Sequence, residues 1–358
     1  MSRFHTVKIK SVDKVTHDCV TVSLDIPADL KNTFTYKQGQ YLTFRRLING
    51  EELRRSYSIC SSPLENEWKV AIKKVPEGKF SGFANEKLRV GEELEVMPPM
   101  GKFYTELDPE HQKHYVTFAA GSGITPVLSI IKTVLLSEPN SSVTLVYGNR
   151  GRNSIIFKDE IEGLKNKFID RLSVHHVLSR EHGDNDLAFG RIDKAKTDLF
   201  LQKLIKADTI DECFICGPED MVNAVRESLQ EAGVDGKKIH FELFTTSDSG
   251  QKKAIQLQQL ASEDDKKSKV TVRLDGALIK MDMSYYGNTI LDAAAEHGAD
   301  LPYSCKGGMC STCRAKVTKG KVEMDVNYSL EPEEVAAGYV LTCQARPLSE
   351  EVEVDFDA

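Results

Sequence analysis

The stretch CKGGMCSTC, from Cys305 to Cys313, contains three cysteines within nine residues, and a fourth, Cys343, follows after twenty-nine more. The 358-residue chain has eight cysteines, so half of them lie in this C-terminal segment. The chain shows neither an apolar secretion signal nor a stretch long enough to span a membrane, which predicts a soluble, cytoplasmic protein without membrane contact. Because the cytosol keeps thiols reduced, the four cysteines indicate a metal site rather than disulfides.

The spacing of these cysteines favours one kind of metal site. Zinc ribbons and fingers favour two closely spaced pairs. A C-x4-C-x2-C run with a distant fourth cysteine is the plant-type ferredoxin arrangement for a [2Fe–2S] cluster. Gly307 and Gly308 let the backbone wrap closely, so that N–H groups offset the negative charge of the cluster. The sequence therefore predicts four cluster ligands, with zinc as the alternative: Cys305, Cys310, Cys313 and Cys343.

The surrounding segment, residues 269–358, resembles plant-type ferredoxin domains. The resemblance rests on LDAAAEHGADLPYSC before the first cysteine and on GYVLTCQARP around the fourth. It implies an α+β domain of the β-grasp type that carries one electron at low potential.

Charge is distributed unevenly along the chain. Residues 269–358 contain nine Lys and Arg against fifteen Asp and Glu, a net charge of −6 out of −7 for the whole protein. The overall balance argues against a nucleic-acid surface, which needs concentrated Lys and Arg. The acidic segment is either a solvated face or a docking surface for a basic partner.

The preceding residues have two further patterns. Short alternating runs such as VTVSLDI and KVAIKKV, separated by Gly, Pro and Asn, predict an antiparallel β-barrel over residues 1–110. Apolar strands then alternate with amphipathic helices, which predicts an α/β domain with a parallel sheet over 111–245. The polar residues 246–268 predict a flexible linker to the ferredoxin-like domain.

The run Arg55, Ser56, Tyr57 and Ser58 resembles the flavin-binding motif of ferredoxin-reductase-like proteins, a resemblance that covers residues 1–245. Arginine suits a diphosphate, tyrosine packs on an isoalloxazine ring, and serine hydrogen-bonds its reactive nitrogen. The family's cofactor is FAD. The resemblance implies further FAD contacts from a strand and from a helix start: Ala71, Ile72 and Lys73, and Gly78, Phe80 and Ser81.

The run GSGITP, from Gly121 to Pro126, lies between an apolar strand and a helix, as a dinucleotide-binding loop does. Thr125 is the expected N-cap and Pro126 the first helical residue, which leaves N–H groups facing phosphates. The proline in place of a third glycine is the version of the reductase family. The predicted nucleotide-binding residues of this loop are Gly121, Gly123, Thr125 and Pro126.

A second nucleotide-binding element, Cys216, Gly217 and Pro218, follows the last apolar strand before a helix, where an open α/β sheet binds ligands. The family resemblance implies that it lies beside the nicotinamide, and that Glu242 and Phe244 complete the flavin pocket. The candidate residues at the reacting ring are therefore Ser58, Cys216 and Glu242. Hydride transfer to flavin needs no catalytic acid or base, and none is assigned.

The nucleotide is predicted to be NADPH rather than NADH. An acid at the end of the second strand would select the ribose hydroxyl, whereas arginines accept a 2′-phosphate. The second strand of the α/β domain ends in Asn149 and Arg150, and the third ends in Ser179 and Arg180. Neither pair contains an acid. Arg150, Ser179 and Arg180 are the expected contacts.

The order flavin, nucleotide, ferredoxin resembles the hybrid reductases of multicomponent oxygenases. The C-terminal KVEMDVNYSLEPEEVAAGYVLTCQARPLSEEVEVDFDA resembles the phenylacetyl-CoA epoxidase reductases of aerobic phenylacetate degradation. That family delivers electrons to a di-iron oxygenase, and this chain lacks the E-x-x-H motifs of a di-iron site, so the oxygenase is expected to be a partner. The alternatives are a reductase for a Rieske dioxygenase or for an acyl or steroid hydroxylase, and a non-catalytic redox sensor.

Overall fold

A computed structural model of the protein describes residues 4–182, 185–245 and 266–358. These residues form two compact units, Phe4–Thr245 and the part from residue 266 onward. Within the described ranges, no helix is long and apolar enough to cross a membrane.

The first part of the larger unit is an antiparallel sheet of six strands in the order β4-β3-β6-β1-β2-β5. The strands are β1 (His5–Thr16), β2 (Cys19–Asp25), β3 (Tyr41–Ile48), β4 (Glu51–Ser58), β5 (Trp68–Lys73) and β6 (Glu93–Val96). A bridge between Ile59 and Val70 joins the two edge strands β4 and β5, so the sheet closes into the predicted barrel. Helix α1 (Lys79–Glu86) connects β5 to β6.

The closure of the barrel follows from the alternation of apolar and polar residues along its strands. Every second side chain of a strand points inward, and Val20, Val22, Leu42 and Phe44 are buried in one cluster. The only tryptophan, Trp68, joins this cluster and donates a hydrogen bond from its indole to the Phe34 carbonyl at 2.7 Å.

The second part of the unit is a parallel five-stranded sheet in the order β11-β10-β7-β8-β9. The strands are β7 (His114–Ala120), β8 (Ser142–Asn149), β9 (Leu172–Leu178), β10 (Glu212–Pro218) and β11 (Ile239–Thr245). The helices are α2 (Ile124–Ser137), α3 (Lys158–Lys167), α4 (Lys194–Lys203) and α5 (Glu219–Glu231). The strand order reverses between β7 and β10, and a ligand crevice is expected at the carboxyl ends of these two strands.

The smaller unit has a mixed sheet in the order β13-β12-β18-β14-β16 and a two-stranded sheet of β15 and β17. The strands are β12 (Lys267–Leu274), β13 (Ala277–Ser284), β14 (Arg314–Lys319), β15 (Val322–Met324), β16 (Tyr339–Leu341), β17 (Ala345–Pro347) and β18 (Glu351–Asp355). The helices are α6 (Ile290–Glu296) and α7 (Pro332–Ala336). Ile290, Leu291 and Ala294 of α6 are buried in one core with Val270 and Val272 of the sheet. The predicted multidomain fold, an antiparallel barrel, a parallel α/β domain and an α+β ferredoxin domain, is confirmed.

The predicted linker, residues 246–268, lies mostly outside the described residues. Its last two residues were wrongly assigned, because Lys267 and Ser268 pair with Ser284 and Met283 as the start of β12. The run KKSK, residues 266–269, does not alternate apolar with polar residues, so its sequence does not predict a strand. It becomes a strand because it pairs with β13.

We expect Phe44→Ala to destabilise the barrel by about 3–5 kcal/mol, because it empties space in a packed core. The Phe44 ring lies 5.9 Å from that of Tyr57 and 6.3 Å from that of Phe80, measured between centroids. Leu47→Ala on the same strand is the control, because that side chain is 68% exposed, and should change stability by less than about 0.5 kcal/mol. Fluorescence of Trp68 during denaturant unfolding reports both values, and equal midpoints for the two variants would contradict the prediction.

Candidate functional site

Strand β4 carries the predicted flavin motif along the edge where the barrel closes. Arg55 is exposed, and Tyr57 is partly exposed beside the rings of Phe44 and Phe80. The hydroxyl of Ser56 is 3.0 Å from that of Thr43 on β3. The strand therefore presents a guanidinium and an aromatic ring, a pair suited to the diphosphate and the isoalloxazine of FAD.

Helix α1 begins directly after Gly78, as predicted, but two of its expected ligand contacts are buried. Phe80 is 2% exposed and packs against Tyr57, with ring centroids 5.7 Å apart. The Ser81 hydroxyl accepts from the Val75 N–H at 3.2 Å and donates to the Gly78 carbonyl at 3.3 Å. The structure thus gives these side chains supporting positions, and the start of α1 has no side-chain cap.

Strand β5 reaches from the barrel to the nucleotide loop. Ala71 and Ile72 are 5% and 0% exposed, and the Ile72 carbonyl accepts from the Asn85 amide at 3.0 Å. Lys73 is partly exposed, and its Nζ would lie 3.9 Å from a β-carbon placed on Gly121. A cation of the flavin-binding part therefore stands at the phosphate loop of the other part.

The glycine loop after β7 forms a 3₁₀ turn, Gly121–Gly123, which runs into α2 without a side-chain cap. The prediction that Thr125 is the N-cap is wrong, because the turn starts the helix at Ile124. Thr125 instead lies within the first turn and donates to the Ser122 carbonyl at 3.0 Å. Pro126 also lies in this turn, where its missing N–H costs nothing. The uncapped N–H groups suit a phosphate.

The three candidate residues at the reacting ring come together from three strands. Cys216 of β10 is paired in register with Glu242 of β11, and the Ser58 hydroxyl of β4 donates to Oε2 of Glu242 at 3.5 Å. Burial raises the pKa of the Cys216 thiol, and the nearby Glu242 adds to this effect. Desolvation raises the pKa of Glu242 from 4.5 to about 8, although the hydrogen bond from Ser58 opposes it. At neutral pH this carboxyl is mostly protonated.

The neighbours of Cys216 complete the crevice between β7 and β10. A β-carbon on Gly217 would lie 2.5 Å from Cε of Met221, the flexible end of that side chain, and 3.3 Å from Cβ of Ala120. Pro218 is exposed and caps α5. Phe244 is partly buried against the core of the α/β part.

The predicted adenosine-binding residues lie on two adjoining loops. The Ser179 and Arg180 N–H groups each donate at 2.9 Å, to the carbonyls of Asn149 and Arg150 respectively. Both arginines are exposed. The Nδ2 of Asn149 is buried, and among the described residues it makes no hydrogen bond of ordinary distance and angle.

Glu181, the residue after Arg180, also belongs to these loops, although the predicted contacts do not include it. Its carboxylate accepts from the Arg152 N–H at 2.9 Å, and a β-carbon on Gly151 would lie 2.2 Å from its Oε1. An acid is therefore present beside the two arginines, but it holds the loop of Gly151 and Arg152. The sequence indicates this residue, because an acid directly follows Arg180, the arginine expected to bind the 2′-phosphate.

The four predicted ligand cysteines form two contacting pairs in the smaller unit. The Cys310 thiol and the N–H groups of Gly307, Met309 and Cys310 lower the pKa of Cys305 to about 6. Hydrogen bonding to the Cys313 thiol likewise lowers the pKa of Cys343.

This pairing suits a [2Fe–2S] cluster, in which each iron takes two protein sulfurs.

Donors surround the sulfurs of this cysteine loop. The Gly307 N–H reaches Sγ of Cys305 at 3.3 Å, the Thr312 hydroxyl reaches Sγ of Cys310 at 3.2 Å, and the Gln344 amide reaches Sγ of Cys343 at 3.7 Å. Such donors stabilise the negative charge of a cluster. Of the two glycines, only Gly308 is conformationally required, with φ of +77° and a β-carbon position 3.2 Å from Val326 Cγ2.

Three family models match successive parts of the chain. They are an oxidoreductase FAD-binding domain over residues 6–104, an oxidoreductase NAD-binding domain over 118–227 and a 2Fe-2S iron-sulfur cluster binding domain over 273–348. The predicted FAD, nicotinamide nucleotide and [2Fe–2S] cofactors are confirmed at the level of domains.

Full-length relatives have the same organisation. A component of 1,2-phenylacetyl-CoA epoxidase from Escherichia coli (strain K12) is 45% identical over 358 residues, covering 100% of this chain and 99% of the relative. The ferredoxin reductase component of 3-ketosteroid-9-alpha-monooxygenase from Rhodococcus rhodochrous is 34% identical, covering 99% and 97%. The structure of phthalate dioxygenase reductase matches with a TM-score of 0.59 and 22% identity, covering 99% of this chain and 98% of that chain, which supports the fold.

We expect Gly308→Ala to lower the amount of iron and acid-labile sulfide bound per chain. An L-residue at this φ is strained by about 1 kcal/mol or more, and the added methyl group would push the loop from Val326. Gly307→Ala is the matched control, because the nearest atom to its β-carbon is the flexible Cε of Met309 at 3.3 Å. Equal iron and sulfide contents in the two variants would show that the loop does not need its glycine.

The rate of flavin reduction by NADPH should fall as pH rises through about 8, where Glu242 ionises. A carboxylate at this position disfavours the negative charge that reduction brings to the crevice. In Glu242→Gln the side chain is neutral at every pH, so the fall near pH 8 should disappear in anaerobic stopped-flow traces at saturating NADPH. An unchanged pH profile in the variant would assign the titration to another group.

Proposed function

Because this chain belongs to the family of reductase components of multicomponent oxygenases, we propose that it carries electrons from NADPH to an oxygenase that epoxidises phenylacetyl-CoA. The observation that carries the electron-transfer role is the meeting of Ser58, Cys216 and Glu242 at the crevice between β7 and β10. The full-length identity of 45% to a phenylacetyl-CoA epoxidase component supports the choice of substrate.

The larger unit would hold the two redox partners against each other. Arg55 and Tyr57 bind the flavin from the barrel side. The N–H groups of α2 would bind the nucleotide phosphates, Lys73 would contact the FAD as the sequence predicts, and Cys216 with Gly217 would bound the nicotinamide. When bound, the flavin and the iron–sulfur cluster together convert a two-electron reduction into single-electron steps.

Selectivity for NADPH would come from the two loops at the ends of β8 and β9. Arg150 and Arg180 are exposed, and Ser179 lies between their loops. Guanidinium groups form charge-assisted hydrogen bonds with a 2′-phosphate. The carboxylate of Glu181 accepts from the Arg152 N–H and lies 3.7 Å from Nε of Arg152, which partly offsets its charge.

The smaller unit would release electrons through one pair of its cysteines. Cys305 and Cys310 are partly exposed, whereas Cys313 and Cys343 are 2% and 4% exposed. The domain has a net charge of −6 over residues 269–358, and Glu331 and Glu333 at α7 are exposed. A partner with a basic patch would be steered to this domain. We propose a di-iron oxygenase as that partner.

A second candidate function is supported by the identity of 34% to the reductase of a 3-ketosteroid-9-alpha-monooxygenase. The same electron path would then end at a steroid-hydroxylating oxygenase. The residues that bind FAD and the nucleotide are used identically in both cases, so only the acceptor distinguishes them.

The test is reconstitution with each acceptor. We expect the purified protein, supplied with NADPH, to support product formation by a phenylacetyl-CoA epoxidase oxygenase and not by a 3-ketosteroid-9-alpha-monooxygenase oxygenase. Anaerobic titration before mixing should bleach the flavin band and then produce the electron paramagnetic resonance signal of a reduced [2Fe–2S] cluster. Product with the steroid oxygenase alone would favour the second candidate, and flavin reduction without the cluster signal would remove the cysteine site from the path.

A variant of Arg180 tests the selectivity for NADPH over NADH in the same assay. Arg180→Ala should raise KM for NADPH by about tenfold, the loss of one charge-assisted hydrogen bond, and leave KM for NADH near that of the wild type. An equal change for both nucleotides would contradict a role in recognising the 2′-phosphate.

A further inference from the structure

We propose that a buried polar contact between α2 and residues 61–65 sets the position of the nucleotide relative to the flavin, with Lys132 as its positioning residue. The proposal rests on the function proposed above and concerns only the larger unit. We name this contact the α2 clamp and define it by Ser129, Lys132 and Thr133 on the helix and by Ser61, Ser62 and Glu65 in the barrel.

The helix side of the α2 clamp is one polar stripe on an otherwise apolar, buried helix. Positions 129, 132 and 133 are related by three and four residues and therefore share a face. Their side chains are 0%, 5% and 4% exposed. Burying a hydroxyl, an ammonium and a second hydroxyl is costly unless each has a partner.

Each of these side chains has a partner in the barrel. The Ser129 hydroxyl donates to the Ser61 carbonyl at 2.6 Å, and the hydroxyls of Thr133 and Ser62 lie 2.9 Å apart. Nζ of Lys132 donates to Oε2 of Glu65 at 3.2 Å. The same Glu65 oxygen accepts from the Ser62 N–H at 2.7 Å, so the barrel side of the clamp is itself held in one conformation.

Lys132 has a second carboxylate on the α/β side, because it also pairs with Glu160 of α3. Burial lowers the pKa of Lys132, but the two carboxylates more than offset this, and the net shift is upward. The ammonium therefore stays charged and links a loop of the barrel to two helices of the α/β part. Without it, Glu65 and Glu160 would face each other as like charges.

The position of the α2 clamp in the chain connects it to both ligands. Residues 61–65 begin three residues after Ser58, the last residue of the flavin strand β4. Ser129 and Lys132 lie on the helix that starts at the phosphate loop Gly121–Gly123. At 1.5 Å per residue, the clamp is about 10–15 Å from that loop along a rigid helix. A rotation of α2 against the barrel would therefore move the nucleotide relative to the flavin.

The step that depends on this position is hydride transfer. The C–H bond of the dihydronicotinamide breaks, an N–H bond forms on the flavin, and oxidised nucleotide and reduced flavin are left. The rate of such a transfer is sensitive to position, and a misplacement of about 1 Å can cost about 100-fold. Interfaces between domains of one chain are commonly mobile unless they are large and apolar. Here Cys60 of the barrel part shares one buried core with Ile130 and Ile131 of α2, and the α2 clamp adds directional polar contacts to that core.

The test compares Lys132→Met, Lys132→Arg and Glu65→Gln in the full-length protein loaded with FAD and iron. The readout is the limiting rate of flavin reduction at saturating NADPH in anaerobic stopped flow, with NADPH deuterated at the transferred position to identify hydride transfer. We expect about a tenfold lower limiting rate for Lys132→Met, a larger deuterium isotope effect than in the wild type, and an unchanged Kd for NADPH. Lys132→Arg should recover most of the rate.

Glu65→Gln tests the same link if Lys132→Met does not fold. In this variant Lys132 keeps Glu160 as a partner, and only its contact with the barrel is weakened. The variant should lower the limiting rate by a smaller factor. Lys194→Met is the matched control, because Lys194 pairs with Glu231 at the surface of the α/β part, and it should leave the rate unchanged.

The proposal is overturned if the rates of flavin reduction in Lys132→Met and Glu65→Gln stay within about twofold of the wild-type rate while their unfolding midpoints fall. The clamp would then only stabilise the fold. It is also overturned if Lys132→Arg does not recover the rate. Failure of the proposed function is distinguishable, because the wild-type protein itself would then not be reduced by NADPH.

Discussion

The larger unit depends on the close approach of two backbones at the point where its parallel sheet reverses order. A β-carbon on Gly123 would lie 2.1 Å from the carbonyl oxygen of Cys216, so only glycine allows the phosphate loop to rest on the end of β10. This contact brings the start of α2 and Cys216 to one crevice. The predicted phosphate-binding loop and the predicted nicotinamide contact, 93 residues apart in the sequence, are thereby placed side by side.

The barrel is joined to this crevice by polar groups rather than by an apolar interface alone. Ser58 meets Glu242 at the reacting end, Lys73 meets the glycine loop, and the α2 clamp lies behind them. Polar contacts have directional geometry, and a buried donor without its acceptor is costly. They therefore favour one orientation of the two parts, whereas apolar surfaces tolerate sliding. An enzyme that transfers hydride between two bound cofactors benefits from that constraint.

In the smaller unit, the main constraint is that one loop must hold the negative charge of an iron–sulfur cluster and its cysteine sulfurs. Lys306, Gly308 and Ser311 all have positive φ, and the resulting path turns backbone and side-chain donors toward the cysteines. The acidic surface of the same domain is compatible with this site, because local N–H groups act at hydrogen-bond distance and surface charges are screened over about 10 Å. One domain can thus be acidic for its partner and donor-rich around its sulfurs.

Spacing, periodicity and residue type in the sequence alone determined the three domains and the cofactor class of each, and they predicted the ligand cysteines and both nucleotide-binding elements, because these features are local. The start of α2 was misplaced at Thr125, since a 3₁₀ turn and a helix share the same local pattern. Phe80 was expected at the ligand, but burial is a property of the packed barrel. The hydrogen bonds of Glu181 and Glu242 and the ion pairs of Lys132 join residues from 28 to 184 positions apart, and the raised pKa of Glu242 comes from burial. Only the tertiary structure decided them, because desolvation and pairing arise when distant strands and helices meet.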